Sequence, residues 1–119
     1  MPANTITNAW LAINPGLLRH RIEIQVSVDT QDSFGTPIPA WEALYANVAA
    51  LVEPLSGNEL FEARQLHAEV THRIIMRGRF DGITPKHRVL FGSRVFDILS
   101  VLNLEERNLI VELMVKEGV

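Results

Sequence analysis

Apolar and polar residues alternate one by one in several short segments of this chain, and this period constrains the fold more than any other feature. In residues 21–28, isoleucine and valine occupy every second position, and polar side chains fill the positions between them. Successive side chains of a β-strand point to opposite faces, so this period predicts a strand with one buried face.

Five more segments complete a set of six predicted strands. They are residues 41–53, 70–77, 87–91, 94–101 and 109–115. The second strand should end at Pro54, which has no backbone N–H to donate. Its expected buried face consists of Leu44, Ala46, Val48, Ala50 and Val52. Gly92 and Ser93 suit a type II′ hairpin between the fourth and fifth strands.

The connections between these strands are rich in turn-forming residues. Residues 29–39 contain Asp, Gly and Pro and are predicted as a loop or wide turn. Residues 78–85 and 103–108 are predicted as shorter connections.

One α-helix is predicted at about residues 57–69. Ser56 and Glu59 have the spacing of a capping box, in which each side chain bonds to the backbone N–H of the other. A polar stripe at helical spacing consists of Asn58, Glu62, Gln65 and Glu69. The opposite side carries Leu60 and Ala63, flanked by Phe61 and Leu66.

These elements predict a mainly β fold: a small antiparallel β-barrel or sandwich of about six strands with one inserted α-helix. Such a fold protects its strand edges by closing on itself. The length of 119 residues fits one domain, here residues 17–119, preceded by an N-terminal extension at 1–16. The extension could be a short docking helix or a loose arm, and the sequence favours neither.

The composition excludes several classes of protein. The chain has no cysteine, which rules out disulfides, thiolate metal sites and a cysteine nucleophile. Its apolar runs are far shorter than the ~20 residues that span a bilayer, and its first residues lack the basic region of a signal peptide. We therefore expect the protein to be made in the cytoplasm and not to associate with a membrane.

The charges are distributed unevenly along the chain. Residues 70–96 hold six basic residues and one acidic residue, a net +5, whereas the rest of the chain carries −8 of the total of −3. Nine of the eleven basic residues are arginine, which suits planar contacts at protein interfaces. The overall negative charge argues against a general nucleic-acid binder. The basic segment could also be an ordinary solvated strand face.

No pattern of residues predicts catalysis. His67 and His72 are five apart across the predicted helix end, and His20 and His87 have no partner at metal-ligand spacing. The sequence contains no phosphate-binding glycine loop, no nucleophile elbow and no convincing acid–base pair of carboxylates. We predict no metal, no cofactor and no catalytic residue, so the protein should not be an enzyme.

Five stretches, taken in order, resemble one known family. They are LLRHRIEIQ (17–25), DSFGTPIPAW (32–41), VEPLSGNELFEARQL (52–66), VTHRIIMR (70–77) and GITPKHRVLFGSRVFDILSV (82–101). Their order and spacing resemble the phage head-tail joining or head-closure family, which includes the stopper proteins of siphophage connectors. The resemblance covers about residues 17–116, and the extension at 1–16 departs from it.

The resemblance implies a virion protein of the phage neck. Subunits of this family form a β-barrel ring, typically a dodecamer, beneath the portal and its adaptor ring after DNA packaging. A tail terminator or tail tube docks below, and an insertion near the lumen, here about residues 54–69, helps to retain the DNA. Two alternatives stay open: an adaptor or tail-terminator ring subunit, and a nucleic-acid-binding β-barrel that uses Phe80 beside Arg77 and Arg79.

Two sets of residues are candidates for roles in such a ring. A ring built from one repeated heterologous contact needs two different, complementary patches on each subunit. The candidate subunit-interface residues are Arg73, Arg77, Arg79, Arg88 and Arg94. The candidate lumen-facing residues are Glu59, Glu62 and Glu69, whose charge would repel DNA phosphates and let DNA pass without specific binding. An outward, solvated helix face is the alternative for the glutamates.

Overall fold

A computed structural model of the chain describes residues 15–103 and 110–118, and six strands and one α-helix lie in this part. In chain order they are β1 (His20–Gln31), β2 (Pro37–Pro54), α1 (Gly57–Leu66), β3 (His72–Arg77), β4 (Arg88–Phe91), β5 (Arg94–Asn103) and β6 (Ile110–Glu117). A short 3₁₀ turn at Pro15–Leu17 precedes β1. The extension up to residue 14, and most of the predicted connection at 103–108 together with Leu109, lie outside the described residues.

The six strands form a single sheet that closes on itself in the order β1-β2-β3-β6-β5-β4. Every neighbouring pair is antiparallel, and closure comes from a three-residue pairing of β1 with β4, Glu23 to Gln25 against Leu90 to Arg88. This arrangement confirms the predicted mainly β fold with one inserted helix.

The core fills the interior of the closed sheet. Phe96, Ile24, Ile74, Leu113 and Val115 have essentially no exposed surface there. Two smaller clusters lie outside the sheet. One joins Leu18, Ile75 and Ile110, and the other places Ala63 of α1 against Leu55 and Val70. The outer face of β3, β5 and β6 is therefore partly covered, and α1 is held against it.

The prediction of a loop at residues 29–39 is wrong. Strand β1 continues to Gln31 and β2 already begins at Pro37, so only a tight turn separates them. The Asp32 side chain holds this turn, because its Oδ1 accepts hydrogen bonds from the N–H groups of Phe34 (2.8 Å) and Thr36 (2.9 Å). Gly35 adopts φ +80°, a conformation that glycine tolerates best. The residues that indicated a loop are those of a hairpin turn.

Beyond the β1–β4 pairing, this hairpin leaves the closed sheet. Residues 26–43, called the arm from here on, pair only between β1 and β2, since β4 reaches β1 no further than Gln25 and β3 meets β2 only from Ala50. Six residues of β1 extend past the sheet, about 20 Å at ~3.3 Å per residue.

The expected buried face of β2 is correct for Val48, Ala50 and Val52 but wrong for Leu44 and Ala46, which are exposed. The pairing with β1 shifts twice here: Ile22 faces Val48, Ile24 faces Tyr45 and Gln25 faces Ala43. These shifts place extra residues in β2, and Asn47 takes a left-handed φ of +54°. A one-residue shift exchanges the two faces of a strand, so Tyr45 packs against the core in place of Leu44 and Ala46.

The helix is shorter than predicted and begins without the predicted capping box. It ends at Leu66 rather than residue 69, because His67 is extended and the chain turns so that Val70 is buried beneath the helix. The Ser56 side chain makes no capping hydrogen bond, and Glu59 instead reaches Arg73. Phe61 and Leu66 are largely exposed, so the apolar side of the helix is narrower than the wheel indicated.

The remaining strand limits differ by a few residues from the predictions. Strand β3 starts at His72 rather than residue 70, and β6 continues to Glu117. Phe91 pairs with Arg94 and Gly92 has φ +61°, which confirms a two-residue hairpin at Gly92 and Ser93.

The left-handed conformation of Asn47 gives a direct test of the bulge. We expect Asn47→Val to lower the free energy of unfolding by about 1–2 kcal/mol, since a β-branched residue is strained at positive φ. Asn47→Gly should be neutral or stabilising. Urea unfolding measures both, with Ala46→Val at the exposed neighbour, whose φ is not positive, as the control. Equal stability of the two valine variants would contradict this account of the bulge.

Candidate functional site

The structure divides the five candidate arginines between the two ends of the closed sheet. Arg73 and Arg94 lie near the starts of β3 and β5 at one end. Arg77, Arg79 and Arg88 lie at the other end, on β3, on the loop that follows it and on β4. They therefore do not form one continuous patch, and their surroundings must be considered separately.

Arg73 is surrounded by three glutamates from three elements. It forms a short ion pair with Glu53 of β2, and its Nε donates to Glu53 Oε1 at 2.7 Å. Its guanidinium also lies 3.3 Å from Glu59 of α1 and 3.8 Å from Glu112 of β6. Only about a fifth of the Arg73 side chain is exposed, so it is largely committed to holding the helix against the sheet.

The surplus of negative charge around Arg73 affects Glu112. Burial raises the pKa of the Glu112 carboxyl above its ordinary value. The charge of Arg73 opposes this rise, whereas Glu53 and Glu59 add to it. The cluster is thus an electrostatic contact that depends on a single cation.

Arg94 belongs to a second network at the same end. It forms a two-bond ion pair with Glu117 at 2.8 and 3.1 Å, and its guanidinium approaches the ring nitrogen Nε2 of His72 at 3.4 Å. The other ring nitrogen of His72 lies 2.8 Å from the Thr71 hydroxyl, which also accepts the backbone N–H of Glu117. Burial lowers the pKa of His72, in keeping with a neutral ring that accepts from Arg94. The hydrogen bond to Arg94 lowers the pKa of Glu117.

Arg79 and Arg88 also have partners within the chain. Arg79 pairs with its exposed neighbour Asp81 at 3.0 Å, a contact of little energetic weight in water. Arg88 donates to Gln25 at 2.7 Å and places its guanidinium 4.1 Å from the ring centre of Trp41. Arg88 therefore braces the base of the arm.

Arg77 differs from the other four because its exposed side chain has no ion pair or hydrogen bond within residues 15–103 and 110–118. The pairing of Ala50 with Met76 and of Arg21 with Ala49 places Arg77 and Arg21 in one row across the outer face of β1, β2 and β3. Arg21 and nearby Arg19 are likewise exposed and unpaired within these ranges. The sequence analysis missed both because they precede the basic segment.

Two of the three candidate glutamates of the helix contact the sheet. Glu59 pairs with Arg73, and Glu69, just past the end of α1, lies 3.2 Å from Nζ of Lys116. Glu62 is exposed and has no ion pair within the described part of the chain. Of the three glutamates, only Glu62 therefore has a charge that no described residue neutralises.

Between α1 and the strands β5 and β6 lies an apolar groove of about 300 Å³. Its lining includes Leu66, Val101, Leu102 and Met114, with His67 and Glu112 as polar members. Leu66 and Leu102 are strongly exposed at its rim. The sequence did not predict the groove, because the groove forms where the helix ends earlier than predicted, at Leu66.

The aromatic candidate for nucleic-acid stacking is half-buried and already has an aromatic partner within the chain. Phe80 packs against the core and against Tyr45, with ring centres 5.1 Å apart at nearly a right angle. In the described ranges no three His, Asp or Glu side chains are grouped closely enough to hold a metal ion. No helix in those ranges is both long and apolar enough to cross a bilayer.

Comparison with known proteins places this arrangement in a family. Residues 13–118 match the family described as phage head completion protein. The chain belongs to the phage head completion protein family. The match extends over both ends of the closed sheet, the arm and the helix. It identifies the chain as a structural protein of the phage head–tail region and of the virion.

Two solved structures share the fold. Protein SF1141 from Shigella flexneri 2a, solved in solution, is 30% identical, with a TM-score of 0.65 over 85% of this chain and 93% of that one. A chain from the virion of a native gene transfer agent particle is 20% identical, with a TM-score of 0.50 over 82% of this chain and 93% of that one. No curated protein matches significantly.

The Arg73 cluster yields a prediction with a defined pH dependence. We expect Arg73→Gln to lower the free energy of unfolding at pH 7.5 by about 1–3 kcal/mol, because glutamates lose their shared partner. Without the cation, nothing opposes the effect of burial on Glu112, so the pKa of its carboxyl rises further in the folded state, which then binds more protons than the unfolded chain. The loss should therefore shrink as the pH falls towards 5.

Urea titrations at both pH values measure this loss. Arg77→Gln is the matched control, since Arg77 is exposed and unpaired in the described part of the chain, and it should change stability by no more than about 0.5 kcal/mol. A penalty for Arg73→Gln that is the same at pH 5 and pH 7.5 would show that the glutamates do not depend on Arg73.

Proposed function

We propose that this chain is the head-closure subunit of a tailed phage or a phage-like particle. Copies of it assemble into a ring, typically a dodecamer, between the portal with its adaptor and the tail terminator or tail tube. The ring closes the filled head and retains the DNA. The observation that carries the proposal is the family match over residues 13–118. The protein is made in the host cytoplasm and incorporated into the virion.

The fold of the gene transfer agent chain supports a place in a phage-like particle. The strand-built body favours head closure over an adaptor, since adaptors tend to be helical. A tail-terminator ring is the nearest alternative. A structural family also supports a role without catalysis.

Within such a ring the five arginines have different roles. Arg73, Arg88 and Arg94 stabilise the subunit through partners in their own chain, and Arg79 contributes little because Asp81 neutralises it in solvent. Arg77 is the member best able to contact a neighbouring subunit, because no described side chain satisfies it. Electrostatic complementarity of this kind chiefly sets register and partner choice.

The location of the protein tests the proposal directly. Without the chain, we expect heads that contain the portal but do not join tails and that lose their DNA. Negative-stain microscopy and the DNA content of purified particles measure both effects, with wild-type complementation as the control. Antibody labelling should place the protein at the neck. Normal tailed particles without the chain, or label only at the far end of the tail tube, would overturn the proposal.

For the helix we propose that Glu62 faces the lumen and that its charge, repeated around the ring, keeps DNA from adhering. Glu62→Lys should then slow DNA ejection several-fold, since each subunit would bring a cation to the phosphates. The change leaves the Arg73–Glu59 and Lys116–Glu69 pairs in place.

Asp97→Lys makes the same change of charge at an exposed site of β5 and serves as the control. Ejection triggered in vitro can be followed by a DNA-binding dye. Equal ejection rates for the wild type and both variants would place Glu62 on the outside of the ring.

A further inference from the structure

Apolar residues at every second position line the interior of the closed sheet, and this pattern continues into the arm beyond the closed part of the sheet. Val26 and Val28 continue the inward-facing side of β1 that begins with Ile22 and Ile24. Across the hairpin Glu42 faces Val26, Ala40 faces Val28 and Ile38 faces Thr30. These side chains form one apolar face with Glu42 at its base, called the inner arm face from here on. None of its residues belongs to the core clusters found in residues 15–103 and 110–118.

This face is only partly covered within one subunit, with Val26, Val28 and Ala40 half-buried. A two-stranded hairpin is marginally stable by itself in water. Ile38 is exposed, and Phe34 at the tip has 91% of its surface in solvent. The Asp32 turn and the contacts of Arg88 with Gln25 and Trp41 hold the arm in place at both its ends. An apolar ribbon that is held at both ends needs little ordering on binding and is in this sense preorganised.

The charges of the arm identify the kind of partner. Residues 26–43 include Asp29, Asp32 and Glu42 and no basic residue, a net charge of −3. This charge opposes contact with DNA. On the inner arm face the charge is that of Glu42. It complements Arg21 and Arg77, whose exposed side chains have no ion pair within the described part of the chain and flank the half-buried Ala49, next to Leu51, on the outer face of the sheet.

One subunit cannot bring these two surfaces together. Glu42 faces Val26, which lies five residues beyond Arg21 along β1, about 16 Å at ~3.3 Å per residue, and on the opposite face of the strand. A neighbouring copy can present its outer face to the arm, and the two surfaces differ, as a heterologous ring contact requires. Pro37 and Pro39 remove two N–H donors from β2, which disfavours pairing through the strand edge and leaves the side-chain face.

We propose that the inner arm face of each subunit packs on the outer face of the next copy, with Glu42 meeting Arg21 or Arg77. This contact rests on the proposed ring and names the surfaces that build it. The apolar side chains of the arm then cover Ala49 and Leu51, and the ion pair sets the register between copies.

Charge reversal tests the contact in particles whose only source of the chain is the variant. We expect Glu42→Arg to reduce incorporation at the neck by about tenfold or more. Adding Arg21→Glu or Arg77→Glu to the same chain should restore it to within about threefold of wild type. Asp29→Arg is the matched control, because it makes the same change on the opposite face of the arm, and it should be incorporated nearly normally.

Cross-linking provides a second measurement, since the natural chain has no cysteine. Ile38→Cys combined with Ala49→Cys should give a ladder of covalent multimers from oxidised particles. Pro39→Cys combined with Ala49→Cys should not, because residue 39 lies on the other face of the arm.

The outcomes separate this contact from the function on which it rests. Two results would overturn the arm contact and leave head closure standing. In the first, the variant chains are present at the neck, but the second substitution does not restore incorporation and oxidation gives no ladder of covalent multimers. In the second, the Ile38→Cys chain forms a disulfide with a different virion protein. Absence of the wild-type protein from the neck would overturn the proposed function itself.

Discussion

Closure of the sheet through three residue pairs between β1 and β4 is the constraint on which the rest of the molecule depends. Without that pairing Ile24, Val89 and Phe96 would border an open edge rather than a sealed core. Because closure uses only the first half of β1, the second half is left over and becomes the arm. The same short contact thus creates the stable body and the projecting segment.

The outer surface has its own organisation. At one end Arg73 and Arg94 join elements of the same chain, through glutamates on β2, α1 and β6. At the other end Arg88 supports the arm, and Arg77 is left without a partner in the described residues. Three of the five candidate cations, Arg73, Arg88 and Arg94, therefore contribute to the shape of the subunit. Interface residues on a small domain of this kind are better sought among charges that the fold leaves unpaired than among charges that cluster in sequence.

The sequence was a good guide to strands and to fold class because period-two alternation reports directly on a half-buried sheet. It failed where the backbone departs from regular geometry. The bulge at Asn47 exchanged the faces of β2, and one asparagine gives too weak a signal to predict it. The proline and glycine residues at 29–39 indicated a loop, whereas this segment forms a hairpin whose turn is held by the Asp32 side chain. The partners of Arg73 come from three distant segments, so spacing along the chain could not reveal them.

Arg88 has a mechanical consequence that follows from its two contacts. Its guanidinium touches Trp41 in the arm and Gln25 in β1, while its backbone belongs to the strand that seals the sheet. A pull on the arm would therefore be transmitted first to the seam with the fewest residue pairs. A partner that pulls or twists the arm would load the molecule at this seam, which is where the closed sheet would yield first.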